Sequence, residues 1–251
     1  MRGGLRRTIF FLALISLWEL AGRAGLWPPY LLPPPSGVLR TLLGGLGNGS
    51  IPLAVWVSMR RIIMGFGFSL IFGTALGMAL GRSDPLRQTL GSLVLGLQVL
   101  PSICWLPLAL LWFGLNERAI LFVVIMGAVL AITVSTEDGI KNIPPPFLRA
   151  ATNMGAKGLR LYTEVIFPAA LPSIITGMKL GWSFAWRSLM AGELLYVSMG
   201  LGHLLMMGRE LNDMSQVLAI MTVLAVLGSF FDRLVFLRLQ RMVAERWGVA
   251  G

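Results

Sequence analysis

Long apolar stretches separated by short charged segments dominate this sequence. A helix needs about 20 mainly apolar residues to cross the hydrocarbon core of a bilayer. Numbered in chain order, six stretches of about this length lie at 8–24, 62–81, 89–114, 119–135, 171–190 and 217–235, and the one at 8–24 is weaker than the others. The pattern predicts an all-α fold: a polytopic membrane helical bundle of about six transmembrane helices that forms one domain over residues 1–251.

The third stretch contains Pro101 and Pro107, and proline removes a hydrogen bond from the interior of a helix. We therefore expect this helix to break near one of them. Broken helices occur in membranes where the freed backbone is buried in protein or lines a cavity. Either a gate or a kink without function fits the sequence at this point.

Glycines recur every four residues in the second stretch, at Gly73, Gly77 and Gly81. Small residues at this spacing let two helices approach closely. The contact could belong to a dimer seam or to packing within one subunit, and we favour packing within the subunit.

The N-terminal stretch follows three basic residues, Arg2, Arg6 and Arg7, as in a cleaved signal peptide. Glu19 and Arg23 stand where a cleavage site would need small residues. We therefore expect this stretch to be retained as the first membrane helix.

Composition strengthens the membrane assignment, since hydrophobic residues make up 56% of the chain, charged residues make up 13%, and the mean hydropathy is +0.78. Soluble domains carry about 25% charged residues. A formal net charge of +10 is also typical of proteins that bind nucleic acid, but the basic residues are scattered and form no run with aromatic residues. A cytoplasmic excess of Lys and Arg explains the charge. If both termini are cytoplasmic, thirteen of these residues fall inside, six fall outside and two lie within the fifth span.

Residues for catalysis or metal binding are scarce. Cys104 and His203 are the only residues of their types, so one chain can form neither a disulfide nor a metal-binding cluster of Cys and His. We expect Cys104 to be a buried structural thiol. The sequence also lacks the Gly-x4-Gly-Lys-Ser/Thr pattern that cradles the phosphates of ATP. It therefore predicts no enzyme activity, no cofactor and no metal in this chain, so that any driving energy must come from another polypeptide.

A mixed segment at 136–170 separates the fourth and fifth stretches. Three prolines at 144–146 can start a helix, and we expect a short helix from Phe147 that ends at Gly155 in a left-handed turn. A second short helix is expected over 159–165, with Pro168 ending it before the next span. Two such helices would form a knob at the membrane surface. From the residues alone, an amphipathic connector lying on the lipid headgroups fits equally well.

The spacing within this segment resembles the signature loop of binding-protein-dependent ABC transporter permeases. That pattern reads Glu-Ala-Ala, three residues, Gly, nine residues, Ile, any residue, Leu-Pro. The chain matches it at Ala150, Ala151, Gly155, Val165, Phe167 and Pro168, and it has Arg149 where the family has Glu. The resemblance implies a cytoplasmic coupling helix that docks on an ATPase. It assigns coupling roles to Arg149, Ala150, Ala151, Gly155, Lys157 and Pro168.

Further segments resemble a narrower group, the nitrate, sulfonate, taurine and bicarbonate importer permeases of bacterial inner membranes. They are 31–36, 101–114, 167–172, 185–193 and 201–202. The resemblance implies two cytoplasmic ABC ATPase subunits that hold ATP and magnesium, a second permease copy (the same or a related chain) and an extracytoplasmic substrate-binding protein. It implies a path for a small anionic solute that works by alternating access. An ion-coupled carrier or channel acting without an ATPase is the alternative function.

One face of the fifth stretch carries charged and aromatic residues. Lys179, Trp182, Ser183, Trp186, Arg187 and Met190 recur at spacings of three and four, with Glu193 near the edge of this face. A charge at mid-membrane costs about 2.5–3.5 kcal/mol on insertion scales, so such residues face a bundle interior or a water-filled path. The hypothesis is that Lys179, Trp182, Trp186, Arg187 and Glu193 line the solute path or its gate. In the alternative, Arg187 and Glu193 form a structural or gating pair that touches no solute.

Overall fold

The structure, a computed structural model, describes residues 2–25, 27–28, 30–195 and 198–246. Every regular element in these ranges is helical, which confirms the predicted all-α fold. In chain order the helices are α1 (Arg2–Arg23), α2 (Pro35–Gly47), α3 (Ser50–Arg82), α4 (Asp84–Gln98), α5 (Ser102–Phe113), α6 (Glu117–Lys141), α7 (Pro145–Asn153), α8 (Gly158–Leu195), α9 (Leu201–Glu210) and α10 (Met214–Phe231 and its continuation to Arg246). Short π-helical turns lie within three of them, at Arg87–Gly91, Tyr162–Ile166 and Asp232–Phe236.

Four of these helices, α3, α6, α8 and α10, are long and apolar enough to cross a membrane, and α4 and α5 together could form a fifth, broken span. The N-terminal predicted stretch, 8–24, forms the 22-residue helix α1, which falls outside this set. Arg6, Arg7 and Glu19 shorten its uninterrupted apolar run. The count of six spans therefore stays a prediction, although α1 exposes large apolar side chains such as Phe10 and Phe11 along its length.

The predicted break in the third stretch is present. Helix α4 ends at Gln98, Pro101 follows, and the axis of α5 turns by 105° from that of α4. Pro107 causes no second break, because it occupies the first turn of the α-helical segment Leu106–Phe113, where a missing N–H costs no internal hydrogen bond.

The chain divides into two compact units, of which the first comprises residues 1–58 and 193–227. Within this unit α1 holds the start of α2 through Glu19. Its carboxylate accepts hydrogen bonds from the Ser36 backbone N–H at 3.0 Å and from the Ser36 hydroxyl at 2.8 Å. Arg23, one turn further along α1, donates to the same carboxylate at 2.6 Å. The contact satisfies one of the backbone N–H groups that the start of any helix leaves without an internal partner.

The second unit comprises residues 59–192 and 228–251 and is built around α6. Glycines of α3 lie directly against it: a Cβ added to Gly77 would lie 2.5 Å from the Thr133 carbonyl oxygen, and one added to Gly73 would lie 2.9 Å from that of Val129. Gly177 of α8 approaches Ser135 of α6 as closely. The glycine repeat of the second stretch therefore serves packing within the chain, as favoured from the sequence.

Two boundaries differ from prediction around the segment 136–170. Helix α6 continues to Lys141, so the connecting segment is shorter than expected. Helix α8 begins at Gly158 and runs through Pro168, so the prediction that Pro168 ends a helix is wrong. The physical reason lies in the π-helical turn before it, where the Phe167 N–H donates to the Tyr162 carbonyl five residues earlier. Such a widened turn changes the hydrogen-bond register locally and lets the helix bend without ending.

Candidate coupling surface and intramembrane site

Helix α7 begins as the prolines predicted, with Pro144 at its N-cap and Pro145 and Pro146 in its first turn. It ends in the predicted left-handed turn, with Gly155 at φ +88°. The backbone N–H of Ala156 donates to the Ala151 carbonyl at 3.0 Å, which closes a Schellman-type C-cap. Because a side chain at this φ is strained, the glycine is required by the turn itself.

The two faces of α7 have different surroundings. Leu148 packs against a buried cluster formed by the C-terminal end of α6 and the N-terminal part of α8, which includes Ile140, Ile166 and Ile174. The other face and the turn after it are open, since Phe147 is 63% exposed, Met154 is 88% exposed and Leu159 is 80% exposed. We name the exposed residues Phe147, Arg149, Ala150, Met154 and Leu159 the coupling surface.

Most of the predicted coupling residues lie on or beside this surface. Arg149, Ala150, Gly155 and Lys157 are exposed, whereas Ala151 and Pro168 are partly buried. The Arg149 side chain makes no ion pair within the part of the chain that the structure describes, so its charge is open to a partner. Arg160 is paired at 2.9 Å with Glu164 one turn along α8, both exposed.

The break between α4 and α5 opens into a cavity of about 290 Å³ beside α6 and α8. Its polar lining consists of Gln98 and Ser102 at the break and Arg187 of α8, and Trp105 and Phe184 form aromatic walls. The Arg187 guanidinium lies 5.3 Å from the centre of the Phe184 ring. In the described ranges it forms no hydrogen bond or ion pair. An exposed cation without an anionic partner therefore faces a cavity at the broken helix.

Cys104 lies within the 3₁₀ turn Ser102–Trp105 at this break and is exposed. The expectation of a buried thiol is therefore wrong. Its position after the break explains the difference, because the chain there turns sharply and leaves the packed face of the helix.

Lys179 has an anionic partner, unlike Arg187. Its Nζ lies 2.8 Å from Oδ1 of Asp232, in the π-helical turn of α10, and both side chains are partly exposed. The charge of Lys179 is therefore balanced locally. This leaves Arg187 as the cation of the predicted face that is open to a ligand within the described ranges.

Trp182, by contrast, belongs to an aromatic cluster. It is 7% exposed, and its ring centroid lies 4.8 Å from the ring centroid of Phe231 and 5.1 Å from that of Phe66. Trp186 meets its edge at 6.2 Å. The indole N–H groups of Trp182 and Trp186 have no hydrogen-bond partner among the described residues. The surroundings of Trp182 are those of a packing residue, and roles of both tryptophans in the path stay a prediction.

Glu193 is held in a closed network within the first unit. It is 1% exposed, and the Ser58 hydroxyl lies 2.8 Å from each of its carboxylate oxygens. The Gly202 N–H donates to Oε2 at 2.9 Å, and the Leu201 N–H donates to the Ser58 hydroxyl oxygen at 2.9 Å. Glu193 thus caps the N-terminus of α9, a geometry that supports a structural role.

Sequence reasoning missed several residues of these sites. Ser58 lies far from Glu193 in the chain, and the available signal was the pair Gly200 and Gly202, where a Cβ would lie within 2.6 Å of Glu193. Gln98 and Ser102 were passed over because their importance depends on the break. Also missed was the buried Arg61, whose Nε donates to Glu117 Oε2 at 2.9 Å.

Comparison with known proteins agrees with this arrangement. Residues 69–247 match the family described as binding-protein-dependent transport system inner membrane component. A protein of Methanocaldococcus jannaschii named as an ABC transporter permease is 34% identical, over 87% of this chain and 84% of its own length. The taurine transport system permease of Escherichia coli is 30% identical, over 87% of this chain and 82% of its own. The bicarbonate transport system permease of Synechocystis is 27% identical, over 92% of this chain and 86% of its own.

Among solved structures, the MetNI methionine ABC transporter in an inward-facing conformation has a chain of the same fold. The superposition has a TM-score of 0.66 at 18% identity and covers 76% of this chain and 94% of that one. The family match covers well over half of the sequence, and the relatives match nearly the whole of it. The chain therefore belongs to the permease subunits of binding-protein-dependent ABC importers, the inner-membrane components of these transport systems.

Proposed function

We propose that this chain lines the translocation path for a small anionic solute of the taurine, sulfonate, nitrate or bicarbonate class. The observation that carries the proposal is the cation of Arg187, which faces the cavity at the broken helix without an anionic partner in the described ranges. Support comes from relatives named for taurine and bicarbonate transport, since both solutes carry an anionic group.

The chemistry of the cavity fits such a solute. A guanidinium presents several N–H donors in a planar fork that matches the oxygens of a carboxylate or sulfonate. Gln98 and Ser102 add neutral hydrogen-bonding groups, and Trp105 supplies an apolar wall. The volume of about 290 Å³ lies just below the range for sites that hold drug-sized ligands, about 300–1,000 Å³, which suits a smaller solute. One small solute can therefore be held at this point of the path.

The coupling surface supports the proposal that separate ATPase subunits drive transport. Helix α7 is joined to the inner ends of α6 and α8 through the cluster around Leu148. Helix α8 then continues without a break from Gly158 to beyond Arg187, a length of roughly 45 Å at 1.5 Å per residue. A displacement of α7 by an ATPase would thus reach the Arg187 cavity along one helix, which is the connection that alternating access requires.

The proposed assembly contains this chain and a second permease, which is either another copy or a related chain. It also contains two cytoplasmic ATPases that hold ATP and magnesium, and an extracytoplasmic substrate-binding protein. The family of inner-membrane components supports a bacterial plasma membrane location. The distribution of Lys and Arg supports six spans with both termini in the cytoplasm.

Uptake by the complete transporter in proteoliposomes tests the proposal. We expect ATP-dependent uptake of a radiolabelled sulfonate or of taurine, with Arg187→Gln reducing it by at least ten-fold and Arg187→Lys retaining part of it. Arg160→Gln is the matched control, because this exposed arginine is paired with Glu164 and lies near the start of α8, away from the Arg187 cavity. Unchanged KM and rate in Arg187→Gln would remove the solute role of Arg187. Uptake without ATP or an ATPase subunit would instead indicate an ion-coupled carrier or channel.

A further inference from the structure

A larger cavity, of about 610 Å³, lies between the last turns of α3 and the first turns of α8. Its walls are mostly apolar, and Arg82 is the one charged residue among them. The lining residues are Met78, Ala79, Arg82, Gly158, Leu159, Tyr162, Thr163 and Phe167. We name this the α3–α8 groove. It is separate from the Arg187 cavity, with which it shares no residue.

Arg82 is positioned by an aromatic ring instead of by an acid. Its guanidinium carbon lies 5.0 Å from the centre of the Tyr162 ring. Within the described ranges it makes no hydrogen bond or ion pair. A cation–π contact of this kind contributes about 0.5–1 kcal/mol at exposed sites, and it leaves the N–H donors of the guanidinium open to an anion.

The position of the groove identifies the kind of ligand. Both α3 and α8 are long and apolar enough to cross a membrane, so lipid can reach the groove between them, whereas Leu159 at its edge belongs to the coupling surface. Arg82 is the last residue of α3, which places the cation at the end of the apolar surface, where headgroups lie. A free phosphate would gain nothing from the apolar walls of Met78, Ala79 and Phe167.

We propose that the α3–α8 groove binds one anionic phospholipid, with its acyl chain along Met78, Ala79 and Phe167 and its headgroup phosphate at Arg82. The Tyr162 hydroxyl is a further polar group of the lining and can donate to headgroup oxygens, whereas the Thr163 hydroxyl already donates to the Leu159 carbonyl of its own helix at 3.2 Å. Basic pockets between membrane helices are known to select anionic headgroups. The proposed orientation of the chain assigns this lipid to the cytoplasmic leaflet.

Native mass spectrometry of the complete transporter in detergent, after incubation with phosphatidylglycerol or phosphatidylcholine, tests the proposal. We expect one phosphatidylglycerol to be retained per permease chain, and phosphatidylcholine several-fold less. Arg82→Gln should weaken retention of phosphatidylglycerol about five-fold, the effect of one basic residue near a lipid surface. Arg82→Lys should restore much of it, whereas Ala79→Phe should reduce retention of both lipids by filling the groove.

Arg87→Gln is the matched control, because this arginine lies near Arg82 in the chain but is already paired with Asp84 at 2.7 Å. It should leave lipid retention unchanged. Equal retention of phosphatidylglycerol by the wild type and Arg82→Gln would overturn the proposal, as would equal retention of the two lipids by the wild type. A disulfide or crosslink from Ala79→Cys to another subunit, in a Cys104→Ser background, would show that protein occupies the groove and would also overturn it.

This test is independent of the proposed solute path. Lipid counting needs no solute, no ATP and no knowledge of orientation, and the same spectrum shows whether each variant assembles. A failed uptake experiment therefore leaves the lipid proposal standing, and the reverse also holds.

Discussion

The ammonium group of Lys179 on α8 lies 2.8 Å from a carboxylate oxygen of Asp232 on α10. The pair places two opposite charges on neighbouring helices that are apolar enough to span a membrane. Each charge is therefore balanced by the other, and a role of Lys179 in the solute path stays a prediction. Lys179 and Arg187 lie on one face of the sequence pattern, but Lys179 has an anionic partner in the structure and Arg187 has none among the described residues.

Removing one member of this pair should destabilise the chain more than removing both. We expect Asp232→Asn to lower the free energy of unfolding by about 1 kcal/mol, the upper end for partly exposed pairs. The double variant Lys179→Met with Asp232→Leu should regain most of this loss, because no unpaired charge remains. Thermal unfolding of the purified permease in detergent measures both. A double variant as unstable as Asp232→Asn would show that the pair is not a balanced charge unit.

Ser58 should matter for stability and not for solute affinity. Ser58→Ala removes a donor from the buried Glu193 carboxylate and leaves the Leu201 N–H without its acceptor. An unsatisfied buried group costs about 1–3 kcal/mol, so we expect a lower unfolding temperature with an unchanged KM for uptake. Ser92→Ala is the control, because that exposed hydroxyl donates only to the Gln88 carbonyl of its own helix. A raised KM in Ser58→Ala at normal stability would restore a solute role for Glu193.

Two glycines of α3 should respond in opposite directions to the same substitution. In Gly77→Ala the new Cβ would lie 2.5 Å from the Thr133 carbonyl oxygen, and overpacking of this kind costs about 1–3 kcal/mol. At Gly67 nothing lies within 4 Å of the added Cβ, so Gly67→Ala should stabilise the helix by about 0.5–1 kcal/mol. Unfolding of both variants in detergent tests the close contact between α3 and α6. Equal responses would contradict it.

Adjacent residues of α7 should separate docking from internal packing. Phe147 belongs to the exposed coupling surface, whereas Leu148 packs on the cluster that joins α6 and α8. We expect Phe147→Ala to reduce the amount of ATPase that co-purifies with the permease at unchanged permease stability. Leu148→Ala should instead destabilise the permease, by up to about 2–3 kcal/mol for a partly buried leucine. If both variants co-purify with as much ATPase as the wild type, the assignment of the coupling surface is contradicted.

Local sequence signals predicted those features of the fold that depend on neighbouring residues. Hydropathy located the long helices, Pro101 located the break, and Gly155 located the turn after α7. The continuation of α8 through Pro168 was not predictable in this way, because it depends on a π-helical turn whose sequence, Tyr162–Ile166, carries no distinctive signal.

The candidate sites were predictable only in part, for a related reason. Helical spacing grouped Lys179 and Arg187 on one face, but it contains no information on what each side chain contacts. The partners Asp232 and Ser58 lie many residues away along the chain. Pairing over such separations is decided by tertiary packing. Only the structure could therefore show that Lys179 is paired and that Arg187 faces a cavity.

The most direct test of the central proposal is a cryo-electron microscopy structure of the complete transporter held with taurine or a short sulfonate. The account predicts solute density in the cavity at the α4–α5 break, with an anionic oxygen about 2.7–2.9 Å from the Arg187 guanidinium, and loss of that density in Arg187→Gln. Solute bound elsewhere in the path, with Arg187 paired to a protein carboxylate in the assembled transporter, would contradict it.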